Sequence, residues 1–547
     1  KTGRQIAVMR PLLAALLICC TSVASAAAAE ALAPAAQQVL HHGNGPEPNS
    51  LDPHRAEGVS TSNIVRDLYE GLTGISPDGR VVPAAAERWM ISADGLSYTF
   101  ALREGLHWSD GSVLTAEDFV AGFQRSITPA TGNTFAQMLS AIANATAVLD
   151  GKTPATALGV SAPDARTVVI RLAAPTPYLL GLLSHPSTFP VHRPSLQQWG
   201  RDFARPGRLI GNGAYTLKDW VVQSHVQLVR NPRYWDNART VIESVSYHAS
   251  EDINAELKRY AADDFDTTYE IPLVQAKALR QRYGAELHIA PYLGSYFYGF
   301  NLSQPPFKDN PKLRQALAMA IDREVIVAKV MQGVALPAYS YVPPGMWNYT
   351  PQVPVWASWP REKKLAEARR LYAEAGYSRE KPLQMELRYN THDDHKRIAV
   401  VMAAMWKQWL GVETRLVNEE FKVFLQNRKQ RRVTQLFRSA WISDYDDATS
   451  FLDLPTSTHG RNDSVYRNPE YDALLQQAAA TADIAARRAL LEAAERLLMR
   501  DLPVLPIYVY VSKHLVKPWV AGWQDNSYDY HYSKDLRVLA HPARGAR

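Results

Sequence analysis

The sequence predicts a mixed α/β protein of several domains, and three observations carry that reading. Strand-like and helix-like periodicities alternate along most of its 547 residues, a length that suits three or four domains. Turn signals crowd into one early region. No internal repeat, heptad run or long low-complexity linker separates one part from another, so domains that share strands are expected. An apolar content of 46% with 21% charged residues supports ordinary buried cores.

The N-terminus is read first because it sets the compartment. Arg10 precedes the apolar run Leu12 to Ile18, and Ala24-Ser25-Ala26 follows in A-x-A form. That is a secretory signal peptide over residues 1–29, too short for a membrane span, with Met9 as the candidate start. Both cysteines, Cys19 and Cys20, fall inside it, so the exported protein has neither a disulfide framework nor a cysteine metal site. A lipid anchor fits poorly, since Leu17 and Ile18 precede the cysteines where a small residue is needed. Cleavage removes Lys1, Arg4 and Arg10 from a net charge of +6, leaving a mild +3. The densest basic run, Arg428 to Arg432, is short and reads as a solvated strand or turn, and no nucleic-acid partner is expected.

Asp78-Gly79, Asp94-Gly95 and Asp110-Gly111 recur every 16 residues between strand-like runs such as "SYTFALR". Asp-Gly accommodates the positive φ of tight hairpins, so residues 69–124 read as a β-meander. The meander ends in "LTAEDFVAGFQR", where Thr115 and Asp118 have capping-box spacing and Phe119, Val120 and Phe123 form an apolar face. Further strands are expected in "ARTVVIRL" and "SVSYHAS". Helices are expected in "REKKLAEARRLYAEAGYS", with Leu365, Ala368, Leu371 and Tyr372 buried and Gly376 as the stop, and in "DIAARRALLEAAERLLMRDLP", closed by Pro503. After it comes the aromatic strand "VLPIYVYVS".

Catalytic signatures are missing: there is no G-x-S-x-G elbow, H-E-x-x-H helix or P-loop, and no enzyme or cofactor is expected. "GNG" at Gly211 to Gly213 reads as a turn. His392 and His395 in "NTHDDHK" have metal-ligand chemistry, but one loop offers few fixed ligands, so a helix start is the simpler reading and no metal site is expected. In "PYLGSYFYGFN", alternation puts Tyr292, Tyr296, Tyr298 and Phe300 on one face and Leu293 and Phe297 on the other. This strand is either buried on both sides or lines a cavity; Tyr508, Tyr510 and Trp441 strengthen the second option.

"SLDPHRAEGVSTSNIVRDLYEGL", "ERWMISADGLSYTFALREGLHWSDGSVLTAEDFV", "HPSTFPV", "NGAYTLKDWV", "PPFKDNPKLRQALAMAIDRE", "YNTHDDHK" and "RSAWISDYDDATSFL" follow one another in an order that resembles periplasmic oligopeptide-binding proteins, the receptors of peptide-importing ABC transporters. The resemblance runs from Val39 to His541. It implies a two-lobe clamshell of the type II periplasmic-binding-protein kind. Ligand-binding domain I would comprise 38–69, 193–293 and 512–547, accessory domain II 70–192, and domain III 294–511. It also implies a periplasmic monomer that binds peptides of about two to five residues, with little regard to side chains, and hands them to a membrane permease. A murein-peptide receptor and a metal- or haem-binding relative are the alternatives within the superfamily.

Residue by residue, the resemblance implies that Asp444 takes the peptide's α-ammonium, while Asp446 and Asp447 stay solvated. Glu57, Gly58 and Val59 would line one side of the cleft, and Tyr269, Tyr292, Asn390, Ala440, Trp441 and Ile442 its body, with Tyr508 and Tyr510 behind. Arg428, Arg438 and His395 are the candidates for the peptide carboxylate, arginine because its planar fork pairs bidentately. Phe135 and Phe297 stand where the family often has tyrosine, and Phe421 replaces a tryptophan. Glu270 and Lys429 replace asparagine-like and histidine-like residues, which leaves room for a murein peptide with extra carboxylates. Relatives carry two cysteines at positions matching Gly294 and Ile442.

Overall fold

A computed structural model describes residues 31–541, apart from Arg432 and the side chain of Lys422. The signal-peptide reading and both cysteines lie outside the described residues. The remainder is mixed α/β, built on three large apolar cores and several sheets.

The first core is assembled from distant parts of the chain. Strands Val39–Gly43, Ser244–His248, His225–Arg230 and Tyr215–Val221 lie side by side in that order, the first pair parallel and the others antiparallel. Helix Val59–Leu68 packs Ile64, Val65 and Leu68 onto them. The last segment of the chain completes the same core with Trp519, Leu536 and Val538. Gln38 ties it down: its Nε2 donates to the Val538 carbonyl (2.8 Å) and its Oε1 accepts from the Val538 N–H (2.9 Å).

The second core is the meander. Strands Ala86–Ile91, Ser97–Leu102, Thr167–Arg171 and Val160–Asp164 form one antiparallel sheet. Gly79, Gly95 and Gly111 all have positive φ (+84°, +70° and +96°), which explains the 16-residue recurrence. Helix Ala116–Ile127 opens with the expected capping box and buries Phe119, Val120 and Phe123 under the sheet.

The third core holds a six-stranded sheet in the order Leu336–Pro337, Val504–Leu515, Leu287–Phe300, Leu436–Ile442, Gln384–Asn390, Glu413–Glu419. Helices Arg361–Glu374 and Ile484–Asp501 sit on it as their periodicity requires, with Leu365, Ala368, Leu371 and Tyr372 buried and Gly376 at φ +94°. Its two long strands, 287–300 and 504–515, pair antiparallel from Leu287↔Leu515 to Gly299↔Val504, with register breaks between Pro291 and Ser295 and between Tyr296 and Phe297. One end of this ribbon packs Leu515 against Tyr260, Phe265 and Leu279, and the other end lies inside the third core. Residues 292–300 are buried on both faces. Gly294 and Ile442 are direct cross-strand neighbours, and a Cβ added to Gly294 would lie 3.1 Å from Ile442 Cγ1.

The basic run at 428–432 differs from its expected strand or turn. Arg428, Lys429 and Gln430 end the helix Phe421–Gln430, and the chain turns at Arg431 (φ +61°). "GNG" also does more than turn. Where the chain leaves and re-enters the first core, Asn212 exchanges hydrogen bonds with the Glu70 backbone (3.0 and 2.8 Å), and Gly213 N–H donates to Leu68 O (3.0 Å). A Cβ on Gly213 would stand 2.5 Å from the Asp67 carbonyl oxygen and from Leu68 C, both backbone atoms with nowhere to go. Gly213→Ala is expected to destabilise the fold by about 1–3 kcal/mol, the usual cost of overpacking. Thermal denaturation reads this as a lower Tm with an unchanged far-UV spectrum.

Candidate functional site

Strand Leu436–Ile442 runs out into the loop Ser443-Asp444-Tyr445-Asp446-Asp447, and the three acids meet three different fates. Tyr445 leaves its own core and stacks on Tyr178 in the second one (4.5 Å between centroids, 11° between planes). The second core's chain also reaches back: Gln137 Oε1 accepts from Gly460 N–H at 2.9 Å. Asp444 is thus held where the second and third cores meet.

Its side chain is 17% exposed, and His185 Nε2 lies 3.6 Å from Oδ1. His185 Nδ1 accepts from the Ser187 N–H, so the ring proton sits on Nε2 and points toward Asp444, beyond hydrogen-bond length. Burial pushes His185 down to about 3, so the ring is neutral at physiological pH and supplies no charge. Burial likewise raises Asp444 to about 7, although Arg461 and Arg66 pull it back. Phe135 faces His185 at 5.0 Å, and the Arg461 guanidinium lies over both Phe135 (5.7 Å) and Trp441 (5.0 Å). Trp441 Nε1 donates to Ser450 Oγ, which also accepts from the Asp444 N–H. A pocket of about 40 Å³ opens beside this group, lined by Phe297, Tyr341, Arg428, Ser439, Ala440 and Trp441 among others.

The other two acids depart from expectation. Asp447 is buried rather than solvated: it forms a two-pronged pair with Arg487 (2.7 and 2.8 Å) and caps Thr449 N–H (3.0 Å). Asp446 accepts from the Trp347 N–H at 2.7 Å, and burial raises its pKa. Of the three, Asp444 alone is left without a hydrogen-bonded partner for its carboxylate among the described residues, and its neighbours hold the loop.

At the far end of the same strand, Arg438 Nη2 donates to Tyr510 Oη (2.7 Å) and Nη1 reaches Asn390 Oδ1 (3.5 Å). Its guanidinium lies over Tyr296, which stacks on Tyr508 (4.5 Å) and meets His395 through a 3.3 Å contact. Arg438 Nε is buried with no acceptor, and among the described residues no carboxylate pairs with this arginine. Arg428 differs: Asp463 already holds it at 3.0 Å, and Ser439 Oγ accepts a second bond. His395 is buried next to Arg438, and burial depresses its pKa, so it too is neutral. Of the three carboxylate candidates, Arg438 alone keeps uncommitted charge.

Tyr292 and Tyr269 are buried near one another and near Asp529, Tyr269 packing against Gly45. Strand 436–442 pairs with strand 384–390 only at Leu436 and Phe437, so its edge from Arg438 to Ile442 diverges from that neighbour.

Several sequence candidates sit elsewhere. Glu270 is tied to Lys513 (3.2 Å), which together with other nearby cations holds it below the usual carboxylate range against the effect of burial. Lys429 is exposed, and Phe421 is 49% exposed at the start of its helix. Glu57 borders a separate hollow with Asn49, Arg55 and Trp220, and Gly58 caps helix Val59–Leu68 at φ +84°. His392 is the N-cap of helix Asp393–Leu410, as the simpler reading has it. Sequence reasoning missed Arg461 and Arg66. His185 was within reach, since it opens the motif "HPSTFPV".

Three joined cores, with a buried acid held where two of them meet and, on the adjoining strand, an arginine without a carboxylate partner among the described residues, are found in a chain of the solute-binding class. The chain belongs to the bacterial extracellular solute-binding proteins, family 5, whose model matches residues 80–463. It is 40% identical to the periplasmic oligopeptide-binding protein OppA of Escherichia coli, over 93% of this chain and 94% of that one. The structure of the E. coli murein tripeptide-binding protein MppA matches with a TM-score of 0.88 at 38% identity, covering 92% of this chain and 99% of that chain. The unliganded open form of MppA matches at only 0.71, at 37% identity over 94% and 99%, so the cores are arranged less like that open form than like the first MppA structure. A probable deoxycholate-binding periplasmic protein of E. coli, YgiS, is also 38% identical over 93% of this chain and 95% of its own. Relatives are therefore binding proteins whose ligands differ.

Two outcomes follow from the acids. Asp447→Ala strands Arg487 in a buried site and should cost about 3–5 kcal/mol of stability, read by chemical denaturation. Asp444 acts oppositely. Its folded pKa lies above the ordinary value, so the native state holds more protons between pH 4 and 7 and stability falls as pH rises through that window. Asp444→Asn should therefore melt higher than wild type at pH 8 without ligand, and the difference should vanish near pH 4.

Proposed function

We propose that this chain is an exported receptor that captures short peptides by their backbone and termini and delivers them to an ABC permease, acting as a monomer without catalysis. Asp444 carries the reading. A desolvated carboxylate whose histidine neighbour is neutral calls for a cation, and a peptide's α-ammonium is one. Deoxycholate is an anion and gains nothing from such a group. Arg438 supplies the complementary charge for the peptide's carboxylate. Four strand residues and Ser443 separate the two, six residue steps and so at most about 20 Å at about 3.3 Å per residue, the span of a peptide of about five residues, with shorter ones reaching Arg438 through water. The diverging edge from Arg438 to Ile442 offers backbone groups that pair with any sequence.

The murein-peptide alternative rested on extra charge at Glu270 and Lys429. Glu270 is already neutralised by Lys513, and Lys429 lies on the surface, which supports general peptides over that class. The leader over residues 1–29, the domain limits 38–69, 193–293 and 512–547, 70–192, and 294–511, and the periplasmic location belong to the same proposal.

Calorimetry tests it. Wild type should bind a free tripeptide about a hundred- to a few-thousand-fold more tightly than the N-acetylated form, the equivalent of about 3–5 kcal/mol. Asp444→Asn should bind both forms equally weakly. Equal affinities in wild type would remove Asp444 from ligand recognition. Because an ammonium stabilises the ionised carboxylate, affinity should also fall as pH drops below about 7, the value to which burial raises Asp444.

A further inference from the structure

Behind the cleft wall, the crossing strand and the C-terminal segment bring three further side chains together. His514 Nε2 lies 2.9 and 3.0 Å from the two Asp529 oxygens, and His531 Nε2 lies 3.0 Å from Asp529 Oδ1. One atom from each residue falls within 4.8 Å of the others. His514 is buried, and the side chains of Asp529 and His531 are each only 10% exposed. His514 Nδ1 must donate to the Thr268 carbonyl at 2.9 Å, because a carbonyl can only accept. That assignment turns Nε2 toward the carboxylate. Nitrogen and carboxylate lone pairs at this distance repel unless a cation lies between them, either a proton or a metal ion.

We propose that His514, His531 and Asp529 form a binding site for a divalent transition-metal ion of the zinc class. Two imidazoles and one carboxylate suit such ions, leaving a position for water or a further ligand. An imidazole N–H donated to a backbone carbonyl is the orienting bond that metal-bound histidines carry, and Thr268 accepts it here. Trp523 stacks on His531 (3.6 Å, 14°) and sets its edge to His514 (5.4 Å), fixing both rings and limiting water. A fourth nitrogen, His42 Nε2, is buried without a hydrogen-bond partner and lies within electrostatic reach of both histidines. Lys513 lies near His514, but Glu270 neutralises it. The ion would join strand 504–515 to the segment 523–532, whose Tyr528 and Tyr530 pack beside the cleft. None of this depends on peptide binding.

The test uses the full-length protein stripped with chelator. Zn²⁺ is titrated in competition with a chromophoric chelator, and Co²⁺ is added in parallel for its absorption spectrum. One equivalent of Zn²⁺ should bind, with a cobalt spectrum of four- or five-coordinate nitrogen and oxygen ligation and a rise in Tm. His531→Ala should lose at least about a hundredfold in Zn²⁺ affinity, more than a second-shell change costs, while His392→Ala should lose nothing. A far-UV spectrum establishes that His531→Ala is folded, and the wild-type cobalt spectrum stands without any variant. Absence of stoichiometric binding, equal affinity in wild type and His531→Ala, or loss in His392→Ala overturns the proposal.

Discussion

The pairing of strand 287–300 with strand 504–515 is the constraint on which the rest of the molecule depends. One ribbon serves two bodies: at one end it packs beside Tyr260 and Phe265, and at the other it runs through the centre of the six-stranded sheet. Its register breaks at Pro291/Ser295 fall between those ends. A bulged ribbon twists and bends more than a regular one, so the irregularity marks where the ribbon passes from one body to the other. Strand 436–442, with Arg438 at its start and the Asp444 loop at its end, hydrogen-bonds directly to this ribbon. Both Arg438 and the Asp444 loop are consequently positioned by the element that links the two bodies.

The acid cluster shows how one loop resolves competing demands. Asp447 with Arg487 and Asp446 with the Trp347 N–H bind the loop to its own core, and Tyr445 binds it to the neighbouring one. Those attachments leave Asp444 with no freedom to seek water. Its destabilised charge is the direct result, burial holding the carboxyl up to about 7. A freely hydrated carboxylate would keep its ordinary value.

Much of the fold was legible from local chemistry. Each Asp-Gly turn, the Thr115/Asp118 cap and the faces of helices 361–374 and 484–501 depend on neighbours a few residues apart, which a sequence displays directly. The resemblance placed Asp444, Trp441 and Arg438 on one stretch of chain, and the structure puts Arg438 and Trp441 on one strand and Asp444 in the loop that follows it. What failed was anything decided by distant partners. Asp447 looked solvated because Arg487 lies 40 residues away. Arg428 and Glu270 looked available because Asp463 and Lys513 could not be seen beside them. "GNG" looked like a turn because the backbone at Asp67 and Leu68 that excludes its side chains belongs to another part of the chain. Charge at a site is a property of pairs, and a sequence lists only members.

The hydrogen bonds between Gln38 and Val538 span 500 positions. The first core therefore lacks Trp519, Leu536 and Val538 until that segment joins it, and the six-stranded sheet likewise waits on Leu515 to meet Leu287, whereas the meander draws on nearer neighbours. Closing so long a loop is entropically slow. Assembly of the first core waits on the meeting of two segments that lie near opposite extremes of the described residues.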